Sequence, residues 1–350
     1  MEILLLLFNN NPLLIRLSKT AFGRFLLCQK KCYCLRVMKP KVIAVVGPTA
    51  TGKSDTAVAI AEVLATKGVG SEIISADSRQ VYRGLDLGTG KITTEEMRGV
   101  PHHMLDVVDP TETYTVADYT RDAKKVVNDI LDRGNVPIVC GGTGLYIDAL
   151  LFDQEFPEVS PNDALRKELE TCATETLATR LEALDAERFE TIDTHNRVRL
   201  IRAIEIAEAL GNVPKLSQKE SPYEVVWIGL DTDTEILEQR ITARLQKRMN
   251  AGMREEAALL HASGLSFDRM ESLGLEYRYL ARLLQNEITE DVFYKELTTK
   301  ILQYAKRQRT WFKRNKEIEW FDSSKPLNLA LMLHDFHNNP SRHRHKKDSA

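Results

Sequence analysis

VVGPTATGKSD, residues 45–55, decides how this chain folds. It carries a full G-x-x-x-x-G-K-S from Gly47 to Ser54. The apolar run KVIAVVG (41–47) precedes it. DTAVAIAEVLATKG (55–68) follows, with apolar residues at helical spacing and a stop at Gly68. Strand, glycine-rich turn, helix is the setting of a phosphate-binding P-loop. Gly47, Pro48, Thr49, Ala50, Thr51 and Gly52 make the turn. The glycines let backbone N–H groups face an anion, and the helix N-terminus adds its dipole. Lys53 adds a point charge, and Ser54 offers its hydroxyl to Mg²⁺.

Outward from the loop, strand and helix signals alternate. SEIISADS (71–78) is a second strand, VADYTRDAKKVVNDILDRG (116–134) an amphipathic helix, and VPIVCGGTG (136–144) a third strand closed by glycines. The stretch between Arg79 and Pro110 reads as loop. Such alternation predicts an α/β fold: a P-loop NTPase-like parallel sheet with helices on both faces. Residues 161 to about 210 read instead as consecutive helices. The strand pattern returns at VVWIGLD (225–231), so an all-helical subdomain is inserted into the α/β core. A helix follows from near Thr234, and a last one spans roughly 290–315. The expected division is an N-terminal extension (1–37), a catalytic core (38–152 and 222–322), the helical insertion (153–221) and a basic, disordered tail (323–350).

At 350 residues, 43% hydrophobic and 28% charged, the chain has the balance of a soluble globular protein. A net charge of −2 by itself says nothing about nucleic acid. Five cysteines form no regular framework, as expected of reduced thiols. Cys28, Cys32 and Cys34 cluster but lack a second ligand pair at zinc spacing. MEILLLLF is too short to span a bilayer. The first 37 residues lack the layout of a secretory signal. They read either as sequence upstream of a true start at Met38, the favoured reading, or as a basic, acid-poor mitochondrial transit peptide.

An ordinary P-loop NTPase places a second carboxylate at the end of another strand to hold its metal. VPIVC ends in GGTG, with no acid, and the paired arginines of a nucleotide-kinase lid are not evident. The acid at a strand end is Asp77, where α/β sheets place their ligands. Ser75, Ser78, Arg79 and Gln80 converge beside it. The loop therefore suits a diphosphate that leaves better than a phosphate that is transferred.

GPTATGKS, ISADSRQVYRGLDLGTGK, VPHHMLDVVDPTETYTVADY, VPIVCGGTGLYI and YAKRQRTWF, in that order from about residue 41 to 314, resemble the tRNA dimethylallyltransferases, also called tRNA isopentenyltransferases. The resemblance implies transfer of a dimethylallyl group from dimethylallyl diphosphate to the exocyclic amine of the adenine 3′ of the tRNA anticodon. It implies Asp77 as the base, Thr49 and Thr143 near the diphosphate and reacting centre, and Mg²⁺ at Ser54. Arg240 matches an arginine that grips the diphosphate, with Arg244 one turn away as the alternative. For the tRNA anticodon stem-loop it implies Asp77, Ser78, Arg79 and Gln80, and Arg199 and Arg202 in HNRVRLIRAIE (195–205), Arg202 reading alternatively as structural; the clustered charge of KRQRTWFKR (306–314) adds Lys306, Arg307, Gln308 and Arg309. Trp311 and Phe312 read either as stacking residues or as core.

SLGLEYRYL (272–280), with Gly274, Tyr277 and Arg278, departs from the family's usual glycine-tyrosine-lysine motif. No cysteine follows Cys172, so the zinc finger of eukaryotic members is missing and the bacterial type is implied. The expected enzyme is a monomer in the cytoplasm, or in mitochondria if residues 1–37 are a transit peptide. The alternative is an adenylate isopentenyltransferase acting on free nucleotides, which needs no large RNA-binding apparatus.

Overall fold

The computed structural model describes residues 39–334 except 155, 158 and 216–219, and the backbone of two N-terminal strands. Those strands, β1 (Ile3–Phe8) and β2 (Asn11–Arg16), pair antiparallel within a unit of their own. The cluster Cys28, Cys32 and Cys34 and residues 335–350 of the expected tail lie outside the described residues; the first part of that tail is described, and its Met332 and Leu333 are buried.

Six strands form the main sheet: β3 (Lys41–Val46), β4 (Ser71–Ser75), β5 (His102–His103), β6 (Val136–Gly141), β7 (Glu224–Asp231) and β8 (Glu319–Asp322). They lie in the order β5-β4-β6-β3-β7-β8, and every pairing is parallel. Ile43 sits opposite Ile138 on one side and Val226 on the other. β3, β6 and β7 are near-continuous apolar runs because helices cover both faces. Along β3, Val42, Ala44 and Val46 pack with Tyr119, Ile130 and Leu150 from α3 (Val116–Asp132) and α4 (Gly144–Leu151). Ile43 and Val45 face Ile60 and Leu64 of α1 (Lys53–Thr66). This alternation is the period-2 geometry of a strand.

The segment read as loop holds α2 (Thr94–Met97) and the two-residue β5. β8 also went unforeseen, since EWFD is short and lies at the sheet edge.

Helices α5 (Asp163–Thr171), α6 (Thr174–Leu184), α7 (Ala186–Thr191) and α8 (Arg197–Leu210) gather around their own apolar cluster of Leu169, Leu177, Leu181, Leu200 and Ile204. Asn162, Asp185 and Asn196 cap three of them through side-chain oxygens. The buried Glu205 accepts from Arg166 at 2.7 and 2.8 Å, Arg202 at 3.2 Å and the Asn162 N–H at 2.9 Å. Beyond β7 come α9 (Thr234–Asn250), α10 (Met253–Ala262), α11 (Phe267–Leu273), α12 (Leu275–Leu284) and α13 (Glu290–Phe312), with α14 (Leu329–Met332) after β8. α9 to α13 share an apolar cluster with Val81, Tyr82 and Leu85.

Burial alone would raise the Glu205 pKa, but Arg166, the Asn162 N–H and Arg202 outweigh it and hold the carboxyl below its ordinary range. Its stabilisation is therefore complete above the unfolded value of about 4.3 and is lost as pH falls through the lower folded value. Glu205→Ala is expected to cost about 2 kcal/mol at neutral pH, since hydrogen bonds to a charged group are lost and the arginines retain some solvent. Urea unfolding from pH 7 down to pH 3 would show the gap from wild type closing with acidity.

Candidate active site

β3, β4 and β6 send three loops to one edge of the sheet. In the first, Gly47 has φ of 140°, and a Cβ there would lie 2.1 Å from the Leu230 carbonyl oxygen of neighbouring β7. Gly52 caps α1 in the left-handed region at φ 81°. The Lys53 ammonium donates to the Pro48 carbonyl at 2.6 Å, and the Thr51 hydroxyl donates to the same oxygen at 2.9 Å. Burial pushes the Lys53 pKa down to about 8, and the Arg244 charge adds to the effect. Burial also pushes the nearby Cys140 thiol up to about 11, so it is neutral where Lys53 titrates. Ser54 is exposed on the first turn of α1.

The second loop carries Asp77, half-buried, whose Oδ1 accepts from the Arg79 N–H at 2.8 Å. The third is Gly142–Thr143. The two are laced together. Thr143 N–H donates to the Ala76 carbonyl at 3.1 Å, and Ser78 N–H donates to Thr143 Oγ1 at 3.0 Å. A Cβ on Gly141 would lie 2.2 Å from the Ala76 oxygen. Gln80 accepts from Ser75 Oγ at 3.2 Å and donates to the Gly90 carbonyl at 3.3 Å.

One side chain of α13 ties the first loop to the third. Gln308 accepts from the Thr49 N–H at 2.8 Å and donates to the Gly142 carbonyl at 2.9 Å. Gln308 is only 5% exposed, so it is not placed to touch RNA; it was expected there because it sits inside a basic run. Arg309, also expected at the RNA, turns away from it. It is committed inward, to both oxygens of Asp231 at 2.7–3.1 Å and to the Thr232 carbonyl at 2.9 Å. Arg202 is held by Glu205 and the Val159 carbonyl, which makes it part of the helical core. Lys306, Arg307 and Arg199 are exposed. Phe312 is core, while Trp311 donates its indole N–H to Asp148 at 2.9 Å and lies 3.9 Å beneath the Arg314 guanidinium.

The two arginines of α9 are placed differently. Arg240 donates to the Ser323 hydroxyl and carbonyl at 3.1 and 2.8 Å, at the end of β8. Arg244 instead donates to Thr49 Oγ1 at 2.6 Å, in the P-loop. One helical turn carries the side chain from the β8 end to the loop.

A cleft of about 350 Å³ joins these parts. Thr49, Asp77, Ser78, Arg79 and Arg244 line it together with Thr89, Glu276, Tyr279, Lys300, Tyr304 and Arg307. With Arg278, five cationic side chains face two acids there, a balance suited to a polyanion. Burial pushes the Tyr304 phenol up to about 12, so it is a neutral hydroxyl. Thr89, Lys300 and Tyr304 were not foreseen; Tyr304 was findable, one turn before Gln308 on the basic helix.

Residues 80–315 match the family model described as IPP transferase. The curated tRNA dimethylallyltransferase of Salinispora tropica is 41% identical over 288 residues, 81% of this chain and 88% of that protein. That of Thermobifida fusca is also 41% identical, over 81% of this chain and 91% of its own length. The chain belongs to the tRNA dimethylallyltransferase family. Membership makes it an enzyme of the prenyltransferase class. The crystal structure of the tRNA isopentenylpyrophosphate transferase from Bacillus halodurans, 35% identical, superposes with a TM-score of 0.63 over 85% of this chain and 95% of that one. A eukaryotic dimethylallyltransferase acting on tRNA, 23% identical with a TM-score of 0.67 over 81% of this chain and 74% of that one, shares the fold. The family-model match begins at Gln80, and the P-loop and Asp77 precede it.

Gln308→Leu strands the Thr49 N–H and the Gly142 carbonyl, a cost of about 1–3 kcal/mol. Amide exchange across residues 47–53 should quicken in this variant, while exchange in the helical block should stay at the wild-type rate.

Proposed function

We propose that this enzyme transfers a dimethylallyl group from dimethylallyl diphosphate to the exocyclic amine of the adenine 3′ of the anticodon in tRNA. The observation that carries the reading is the meeting of P-loop, Asp77 carboxylate and basic cleft at one sheet edge, where β6 ends in glycines and not in a second acid.

Adenine's amine is a weak nucleophile because its lone pair is delocalised into the ring. In the proposed step nitrogen bonds to the allylic carbon, the carbon–oxygen bond to diphosphate breaks, and its electron pair leaves with the diphosphate. The amine proton passes to Asp77. Lys53, the loop amides and Arg244 stabilise the charge growing on the leaving group. Thr49 is held between the Gln308 amide and the Arg244 guanidinium where it lines the cleft. Thr143 positions the Asp77 segment through its bond from the Ser78 N–H.

The donor set also fits Mg²⁺. Among the described residues no three His, Cys, Asp or Glu side chains cluster as ligands. Mg²⁺ needs no such cage, because it keeps waters and takes phosphate oxygens, so the exposed Ser54 hydroxyl suffices as a protein ligand. Bound there, it would neutralise diphosphate charge.

An adenine stacked in an anticodon loop must be flipped out to react. Exposed Lys306 and Arg307 on α13 and Arg199 on the helical block supply the cations for the RNA backbone. These features favour tRNA over a free nucleotide as acceptor. No described helix is long and apolar enough to cross a membrane. The reading takes the enzyme as a cytoplasmic monomer.

Asp77→Asn should lower transfer at least about 100-fold while dimethylallyl diphosphate still binds. Mass spectrometry of an anticodon stem-loop RNA and of adenosine nucleotides, incubated side by side, reads the acceptor; prenylated nucleotides with untouched RNA would defeat the tRNA assignment. A second expectation concerns pH. Lys53 is charged below about 8 and loses its proton above it, so affinity of the free enzyme for dimethylallyl diphosphate should weaken as pH rises past that point. Lys53→Met should bind weakly at every pH and lack this alkaline limb in a calorimetric titration.

A further inference from the structure

The segment GLDLGTGK (84–91) is fastened from outside in an unusual way. Three successive backbone N–H groups point at one carboxylate from α10. Glu256 Oε2 accepts from Asp86 at 3.1 Å and Leu87 at 2.7 Å, and Oε1 accepts from Gly88 at 3.0 Å. Oε1 also accepts from the Tyr277 hydroxyl of α12 at 2.6 Å. Successive amides of this kind form a nest for an anion, and here the protein fills it with its own side chain. An ionised carboxylate only accepts, so four donors match it well.

The fastening reaches the cleft by two routes. The first runs through packing. Tyr277 lies against Gly88, where a Cβ would come within 2.6 Å of its ring. The buried Arg248 lies under Gly90, where a Cβ would fall 1.6 Å from Nη2, and its partner Glu276, 3.6 Å away, lines the cleft. The second route is the loop itself. Thr89 lines the cleft, and the Gly90 carbonyl receives the Gln80 amide, three residues beyond Asp77.

We propose that Glu256 is a positioning residue for prenyl transfer: it clamps loop 86–90 so that Thr89 and the Asp77–Gln80 segment meet the acceptor in one fixed geometry. This rests on the function proposed above. Glu256 touches neither the P-loop nor the reacting atoms, so its loss should act on the chemical step and spare the donor site.

The test uses the full-length protein with dimethylallyl diphosphate and an anticodon stem-loop RNA. Glu256→Gln keeps the shape but turns an amide N–H₂ toward donors. Its kcat, normalised to protein competent to bind the diphosphate, should fall about 10–100-fold, the scale of a small misplacement. The Kd for dimethylallyl diphosphate should stay within about twofold, as a spared donor site requires, and amide exchange across residues 84–90 should accelerate. Tyr277→Phe, which removes one of the four donors and keeps the ring, should move kcat and exchange the same way by less; it carries the test if Glu256→Gln does not fold. Transfer at the wild-type rate by the variant, or lost transfer with unchanged loop exchange, overturns the proposal and leaves the function standing. Absence of transfer by the wild-type protein overturns the function, and the proposal with it.

Discussion

At the carboxyl edge of this sheet, neighbouring backbones approach until no side chain fits between them. A Cβ on Gly47 would meet the end of β7, one on Gly141 the Asp77 segment, one on Gly142 the Gln308 amide, and one on Gly144 the Trp311 ring. The candidate site depends on that closeness. Two of the three loops bond to each other directly and the Gln308 side chain bridges the third to them, which is possible only because their chains nearly touch. Parallel strands impose this, since they deliver their carboxyl ends to a single edge and their crossovers carry helices to the two faces.

Packing then sets the electrostatics. Lys53 and Arg244 sit where water is scarce, and burial lowers the pKa of both. An anion arriving there meets charges that have already lost much of their hydration, so each is worth more than it would be at the surface. The arginines that stabilise the fold are arranged differently. Arg309 faces Asp231, Arg166 and Arg202 face Glu205, and Arg133 faces the buried Glu72 at 2.8 Å. The cationic surplus is thus left in the cleft, where the P-loop amides add to it.

Much of this was legible in the sequence. The P-loop, the strands that flank it, the helical insertion and the place of Asp77 all follow from local pattern, because continuous apolar runs and helical spacing report burial directly. What local pattern could not say was which charged residue turns inward. Lys306, Arg307, Gln308 and Arg309 are consecutive and look alike as a basic run, yet a helix points them in four directions. Arg240 and Arg244 are one turn apart, and only the tertiary fold decides that the second reaches Thr49. Glu256 gave no signal at all, since three of its four donors are backbone amides about 170 residues away. β8 is too short and polar to announce itself.

Arg307, Gln308 and Arg309 also fix the register of α13. One residue lines the cleft, the next bridges two loops, and the third holds the end of β7. Each step along a helix turns the side chain by about 100°. A single residue inserted or deleted earlier in α13 would therefore swing all three away from their partners at once. A change of length in the turn 285–289, before the helix begins, need not rotate these three side chains against one another, whereas a change within the helix must.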